Sequence, residues 1–125
     1  MHKSALTNII IDCDDLEKGV TFWSAALGLK VTEQQDPYVC LELLEGGLEL
    51  CLQKVPEPKT AKNRVHLDIR SSDIEAEVKR LEALGAKRAV DMGSWWVMTD
   101  PCGNEFCVIG GPGSKLPEHA RTWTD

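Results

Sequence analysis

The sequence contains an internal repeat, and this feature constrains the fold more than any other. In each half, a short strand-like run is followed by one helical segment and then by three further strand-like runs. Two pairs of residues align at an offset of 58 and two at an offset of 56: Asn8 with His66, Asp15 with Asp73, Gly47 with Gly103, and Cys51 with Cys107. A repeat of this length predicts two β-α-β-β-β modules that bury their apolar faces together.

The two predicted helices have clear start and stop signals. Asp14 or Asp15 caps a helix that runs to residue 27, and Gly28 supplies the left-handed residue that ends it. Asp73 and Gly85 do the same for the second helix. The predicted strands cover residues 5–12, 29–32, 38–43 and 48–55 in the first half, and 65–70, 86–90, 95–99 and 104–109 in the second.

These patterns predict one domain over residues 1–125, with module one at about 4–55, a linker at 56–63, module two at about 64–110 and a tail at 111–125. Apolar residues on one face of each element should form the core. They are Ile9, Ile11, Leu16, Val20, Trp23, Leu48, Leu50, Leu52, Leu67, Ile69, Val78, Leu81, Phe106 and Val108.

Composition excludes several classes of partner. The net charge of −6 argues against nucleic acid, because neutralising phosphates needs clustered lysine and arginine. No run approaches the roughly 18 apolar residues of a membrane span, so we expect no membrane partner and a cytoplasmic protein. The five cysteines are an odd number without a Cys-x-x-Cys pair, which indicates free thiols in a reducing compartment.

Three segments carry a resemblance to a known family. Residues 100–107 (DPCGNEFC) resemble the turn that leads into the last strand of the vicinal oxygen chelate superfamily. Residues 63–68 (NRVHLD), with Phe22-Trp23 and Leu27-Gly28, are also similar to its glyoxalase-like and bleomycin-resistance-like members. The resemblance implies an α+β fold in which two βαβββ modules form an open, strongly curved eight-stranded sheet around a central cavity. It also implies a homodimer.

The resemblance also indicates where a metal would bind. In family members that use a metal, the ligands come from the first and last strand of each half. Here those positions hold Asn8, Cys51, His66 and Cys107, with Gln53 on the same strand face as Cys51. An amide and two thiols replace most of the usual imidazole and oxygen donors, so we expect no catalytic metal. A divalent metal remains an alternative, since thiolates with His66 suit zinc or copper.

Polar residues on the predicted cavity wall are candidate ligand contacts. His66, Asp68 and Arg70 are two residues apart and therefore share one face of their strand. The alternative is a structural role, in which His66 is hydrogen-bonded in the cavity wall and Asp68 forms an ion pair with Arg70. Glu49 and Glu105 occupy equivalent positions, where an apolar cavity would raise a carboxyl pKa and create a general base. The alternative is that both carboxylates are solvated.

The tryptophans offer an aromatic surface to a planar or cationic ligand. Trp95 and Trp96 must point to opposite faces of their strand. If Trp95 takes the place of Val39 in the repeat, Trp96 and Met98 line the cavity.

These observations predict a small-molecule-binding protein of the glyoxalase, bleomycin resistance and dioxygenase type, without a catalytic metal or other cofactor. The alternative is a metal-dependent lyase, isomerase or dioxygenase acting on a small carbonyl or aromatic substrate. A third hypothesis is an accessory domain with a vestigial cavity.

Overall fold

The structure is a computed structural model that describes residues 1–110 and 116–124. The chain divides into two compact units, Met1–Pro58 and Lys59–Asp125. The boundary between them falls within the predicted linker. Part of the predicted tail, residues 111–115 and 125, lies outside the described residues.

The first unit contains one helix and one four-stranded sheet. Its elements are β1 (Asn8–Cys13), α1 (Leu16–Leu27), β2 (Val31–Gln35), β3 (Tyr38–Leu43) and β4 (Glu49–Lys54). The strand order is β1-β4-β3-β2; β1 and β4 run parallel, whereas the β4-β3 and β3-β2 pairs are antiparallel.

The second unit repeats this arrangement. Its elements are β5 (Leu67–Arg70), α2 (Ile74–Ala83), β6 (Lys87–Asp91), β7 (Trp96–Thr99) and β8 (Glu105–Ile109), with the strand order β5-β8-β7-β6. The α+β class and the two βαβββ modules are therefore confirmed. Hydrogen bonds group the eight strands into two open four-stranded sheets.

Three of the four predicted helix caps are present, whereas α2 has Leu84 as its C-cap, one residue before the predicted Gly85. Asp15 Oδ1 accepts a hydrogen bond from the Lys18 backbone N–H at 3.2 Å, and Asp73 Oδ1 accepts one from the Ala76 N–H at 3.0 Å. Gly28 ends α1 with a φ of 67°, in the left-handed region that favours glycine.

Half of the predicted core residues are fully buried, and the other half are partly exposed. The buried ones are Trp23, Leu50, Leu52, Val78, Leu81, Phe106 and Val108. The half-buried ones are Ile9, Ile11, Leu16, Val20, Leu48, Leu67 and Ile69. Four of the latter belong to β1 and β5, which are edge strands of their sheets and have one hydrogen-bonded neighbour each among the described residues.

The two helices pack on their sheets through different residues. A side chain at Gly19 of α1 would place its Cβ 2.5 Å from Cys13 Sγ and 3.1 Å from Leu52 Cδ2. The aligned residue in α2 is the buried Glu77, whose carboxylate oxygens accept hydrogen bonds from Arg80 at 2.6 and 2.9 Å. Glycine therefore permits a closer approach of helix to sheet in the first unit.

The turns before the last strands also differ. Gly46 and Gly47 both have positive φ, and nothing lies within 4 Å of the position that a Cβ would occupy. In the second turn, the buried Asp100 carboxylate accepts hydrogen bonds from the Cys102 and Asn104 backbone N–H groups at 2.8 and 2.9 Å. The first turn therefore has free space around its glycines, whereas hydrogen bonds to the Asp100 side chain hold the second turn in place.

No helix among residues 1–110 and 116–124 combines the length and apolar character needed to cross a membrane.

Candidate functional site

The face of the first sheet that points away from α1 carries a cavity of about 260 Å³. Leu50 and Leu52 of β4 are fully buried, and Leu52 contacts the helix beside Gly19. Cys51, between them, therefore points to the opposite face, because successive strand residues alternate. The residues lining this first-unit cavity are Asn8, Ile10, Glu33, Gln35, Tyr38, Cys40, Glu49 and Cys51.

The charge of the first-unit cavity is negative. Glu33 and Glu49 contribute carboxylates, Asn8 and Gln35 contribute amides, and Tyr38, a residue that is 39% exposed, contributes an aromatic ring. Among the described residues, the lining contains no lysine, arginine or histidine. Such a wall attracts cations and hydrogen-bond donors.

Asn8 holds the Glu49 side chain in place. Its Nδ2 donates a hydrogen bond to Glu49 Oε1 at 2.8 Å and lies 3.5 Å from Cys51 Sγ. Its Oδ1 accepts a hydrogen bond from Thr7 Oγ1 at 2.6 Å. Gln53 shares this sheet face with Cys51 but lies beside the cavity rather than in its lining.

The structure corrects the prediction of five free thiols, because Cys40 and Cys51 form a disulfide. The cysteines outside this disulfide are Cys13, Cys102 and Cys107. The β3–β4 register places Cys40 directly opposite Cys51, with Cα atoms 4.1 Å apart. In this oxidised form Cys51 is unavailable as a thiolate ligand.

A second group of polar side chains, the second-unit cluster, consists of His66, Asp68 and Cys107. His66 Nε2 lies 3.3 Å from Asp68 Oδ1, and one ligand atom from each residue lies within 4.8 Å of the others. Burial raises the pKa of the Cys107 thiol, and the nearby Asp68 carboxylate raises it further. The thiol is therefore protonated at neutral pH.

Arg70 does not pair with Asp68 as expected. Its Nη1 donates a hydrogen bond to the Gly110 carbonyl, whereas Asp68 Oδ1 lies 3.3 Å from His66 Nε2. Arg70 thus ties the end of β5 to the residue that follows β8.

Glu105 is not the general base of raised pKa that its position suggested. Burial alone would raise its pKa, but hydrogen bonds from Lys59 and from the Asn63 backbone N–H lower it overall. Glu105 is therefore an ionised anchor that holds the linker residues against β8. Glu49, its counterpart, is a lining residue of the first-unit cavity.

Trp96 and Met98 lie on a different sheet face from Asp68 and Cys107. Trp96 is opposite Val108 in the β7–β8 register, and Met98 is opposite Phe106. These partners are fully buried, as is Met98, so both residues belong to the helix-covered face. The prediction that Trp96 and Met98 line a cavity with Asp68 is wrong, because Trp96, not Trp95, takes the place of Val39.

Sequence reasoning missed several residues that line the first-unit cavity. Glu33 and Gln35 lie in β2, which was predicted to end at residue 32. Residues 32–35 are all polar and exposed, so no alternation of apolar and polar residues marks this part of the strand in the sequence. Tyr38 and Cys40 were placed in a strand, but their face depends on the β3–β4 register.

Comparisons with known proteins agree with this fold. A family model described as a glyoxalase-like domain matches residues 8–109. Among curated protein sequences, no match was found.

Solved structures with the same fold have low sequence identity to the chain. A protein of Agrobacterium tumefaciens has a TM-score of 0.72 at 17% identity, covering 89% of this chain and 100% of its own. A glyoxalase-related enzyme of Fulvimarina pelagi has a TM-score of 0.67 at 16% identity, with coverage of 88% and 90%. A fosfomycin resistance protein of Listeria monocytogenes has a TM-score of 0.69 at 17% identity, with coverage of 90% and 95%.

Proposed function

Because the chain belongs to the glyoxalase-like domain family of the vicinal oxygen chelate superfamily, we propose that it binds a small organic cation in the first-unit cavity. The observation that carries this proposal is the lining, which has two carboxylates, an exposed tyrosine ring and no basic side chain among the described residues. Family members with this fold have diverse activities, so the proposal depends on the site and not on the fold.

The dimensions and chemistry of the cavity define the ligand class. At about 260 Å³ it is slightly smaller than pockets for drug-sized ligands, which start at roughly 300 Å³. A primary or quaternary amine of a few carbons fits that volume. Its charge would face Glu33 and Glu49, its alkyl groups would contact Ile10, and Tyr38 would provide a cation–π contact.

The direct test is a ligand-observed NMR screen of small amines, guanidines and quaternary ammonium compounds against neutral molecules of the same shape. We expect cations among the binders, and we expect Glu33→Gln and Tyr38→Ala to weaken binding about five- to tenfold, or ~1 to 1.4 kcal/mol. Glu45→Gln is the matched control, because Glu45 is an exposed acidic residue outside the lining. The proposal would be refuted if the binders were mainly anionic, or if Glu33→Gln left their affinity unchanged.

The proposed contacts are made by protein side chains alone, so binding requires no metal. Treatment with a chelator should therefore leave the affinity unchanged. A loss of affinity on chelation, restored by adding back a divalent metal, would contradict this part of the proposal.

The second-unit cluster supports a second candidate function, that of a metal-dependent enzyme. One imidazole, one carboxylate and one thiol within 4.8 Å of each other fit zinc, whose catalytic sites use three such ligands and an open position. The same donor set does not fit Mg²⁺, which prefers oxygen alone. Bound zinc would supply a Lewis acid that polarises a substrate carbonyl.

Elemental analysis separates the two candidates. Stoichiometric zinc in protein purified without chelators, lost in both His66→Ala and Cys107→Ala, would support the enzyme. Protein free of metal at that cluster that still binds organic cations would support the binding function.

A homodimer and a cytoplasmic location stay predictions. The outer edges of β2 and β6 have no strand neighbour within residues 1–110 and 116–124, and such edges are commonly covered by a partner. A sedimentation mass near 13.8 kDa at micromolar concentration would exclude the dimer.

A further inference from the structure

We infer that Cys40 and Cys51, when reduced, form a soft-metal site of the zinc class with Glu49, and that the disulfide closes this site. The site consists of residues of the first unit and shares no residue with the second-unit cluster. The inference goes beyond the binding of an organic cation and does not depend on it.

The donor atoms are already close together. One ligand atom from each of Cys40, Glu49 and Cys51 lies within 4.8 Å of the others. Reduction breaks the S–S bond but leaves both cysteines opposite each other on hydrogen-bonded strands and on one sheet face. Two thiolates and a carboxylate are suitable ligands for zinc, and water from the cavity can complete the tetrahedron.

The surroundings favour a cation at this position. Cys40 and Cys51 are buried from bulk water but line the first-unit cavity, which gives an ion a route of entry. Asn8 donates a hydrogen bond to Glu49 Oε1 and so orients the carboxylate that would bind the metal, without binding the metal itself. Glu33, opposite Cys40 in the β2–β3 register, adds negative charge.

The chemistry balances in both directions. A low-molecular-weight thiol reductant supplies two electrons and two protons, which convert the disulfide into two thiols while the reductant becomes a disulfide. Zn²⁺ then displaces two protons to solvent as the thiolates form. In reverse, a small disulfide oxidant takes two electrons from the two thiolates and two protons from solvent, becomes two thiols, and the metal leaves as the Cys40–Cys51 bond forms.

The second unit has no cysteine pair at the equivalent position. Cys107 is aligned with Cys51, but the residue opposite it in β7 is Val97. Oxidation therefore has no partner sulfur on the neighbouring strand at that position.

The experiment is a titration with cobalt(II), a spectroscopic substitute for zinc, on the Cys107→Ser protein, which silences the second-unit cluster. After reduction and anaerobic removal of the reductant, we expect one cobalt per chain with thiolate-to-cobalt charge-transfer bands. After oxidation we expect none. Cys40→Ser and Cys51→Ser should each weaken binding at least tenfold, and Glu49→Gln should weaken it less.

Controls separate this inference from the proposed function and from misfolding. Cys102→Ser removes a half-buried thiol outside the cavity and should leave the cobalt spectrum unchanged. Tyr38→Ala should weaken organic cations but not cobalt. Circular dichroism checks that each variant is folded.

A second measurement needs no variant. In the reduced wild-type protein, zinc should protect Cys40 and Cys51 from alkylation, as mapped by peptide mass spectrometry. Equal metal binding in the reduced and oxidised states, the absence of uptake by the reduced protein, or free thiols at both cysteines after mild oxidation would each overturn the inference.

Discussion

The two units can be compared strand by strand, because their strand order and pairing directions are the same. Their last strands nevertheless differ in chemistry. Cys51 in β4 is opposite Cys40 and is oxidised, whereas Cys107 in β8 is opposite Val97 and remains a buried thiol with a raised pKa. The repeat therefore determines where a side chain is placed, and its cross-strand neighbour determines what that side chain can do.

The same conclusion follows from the aligned glutamates. Glu49 accepts a hydrogen bond from Asn8 and faces the first-unit cavity. Glu105 accepts hydrogen bonds from Lys59 and Asn63 and is used for structure. A functional role assigned by repeat equivalence alone would have been wrong for one of the two.

The largest effect is expected where α1 approaches its sheet. Gly19→Ala places a Cβ against Cys13 Sγ and Leu52, both nearly inaccessible to solvent, and should lower the free energy of unfolding by about 3 kcal/mol. Urea denaturation of Gly19→Ala, Cys13→Ala and the double variant measures this. Because Cys13→Ala removes the clashing sulfur, the double variant should be more stable than the sum of the two single effects predicts.

The exposed Thr21→Ala on the same helix is the control and should change stability by less than about 0.5 kcal/mol. Strict additivity of the Gly19 and Cys13 effects would show that close packing of α1 does not explain the glycine.

A second experiment gives Cys107 in β8 the same kind of cross-strand neighbour that Cys51 has in β4. Val97→Cys places a thiol opposite Cys107, as Cys40 is placed opposite Cys51, and should add a disulfide that stabilises the oxidised protein by about 2 kcal/mol. The thiol count of the denatured, oxidised protein should fall from three in the wild type to two.

Thr99→Cys is the matched control, since Thr99 is opposite Glu105 and not a cysteine. It should raise the thiol count to four, one more than the wild-type three. If Val97→Cys also gave four, the register analogy between the two units would fail.

The third effect is pH-dependent. Glu105→Gln removes a largely buried carboxylate that accepts charge-assisted hydrogen bonds, and should cost about 2 kcal/mol at neutral pH. The folded pKa of Glu105 lies below its ordinary value of 4.5, so its stabilisation is present above that pH and is lost as pH falls through the folded value.

Denaturant titrations of the wild type and Glu105→Gln should therefore converge in strongly acidic solution. Glu57→Gln, in the exposed part of the linker, is the control and should have little effect at any pH. A stability difference that does not change with pH would contradict the anchoring role.

The smallest effect concerns the tail, which has no counterpart in the first unit. The Arg80 guanidinium lies 3.8 Å from the ring centroid of Trp123. Because Trp123 is 40% exposed, Trp123→Ala should cost only about 0.5–1 kcal/mol. Thr122→Ala is the control in thermal denaturation, and an equal effect of both variants would show that the ring contact contributes nothing.

The sequence was sufficient to predict the fold because the repeat, the caps at Asp15 and Asp73 and the spacing of apolar residues all pointed to the same architecture. These signals are local or periodic, and they survive errors of one or two residues at element ends. For example, β7 was predicted to start at residue 95 and starts at residue 96, and the βαβββ assignment is still correct.

The candidate site was less predictable because face and register change with a single residue. Starting β7 at Trp95 reversed the faces of Trp96 and Met98. The register shift between Cys40 and Leu43 determines which β3 residue is opposite Cys51, and no composition or spacing signal in the sequence gives that shift. The disulfide and the cavity could therefore be found only from the paired strands.

The contrast between the two last turns has a practical consequence for engineering. The turn at Gly46 and Gly47 is surrounded by open space, whereas the turn at Gly103 lies close to Lys59 and is braced by Asp100. The first turn is thus a permissive position: a side chain added at Gly46 or Gly47 meets no neighbouring atom within 4 Å, so a peptide tag or a fluorescent reporter can be inserted between them. The second turn has no such freedom, so an insertion there should destabilise the protein more than one in the first turn.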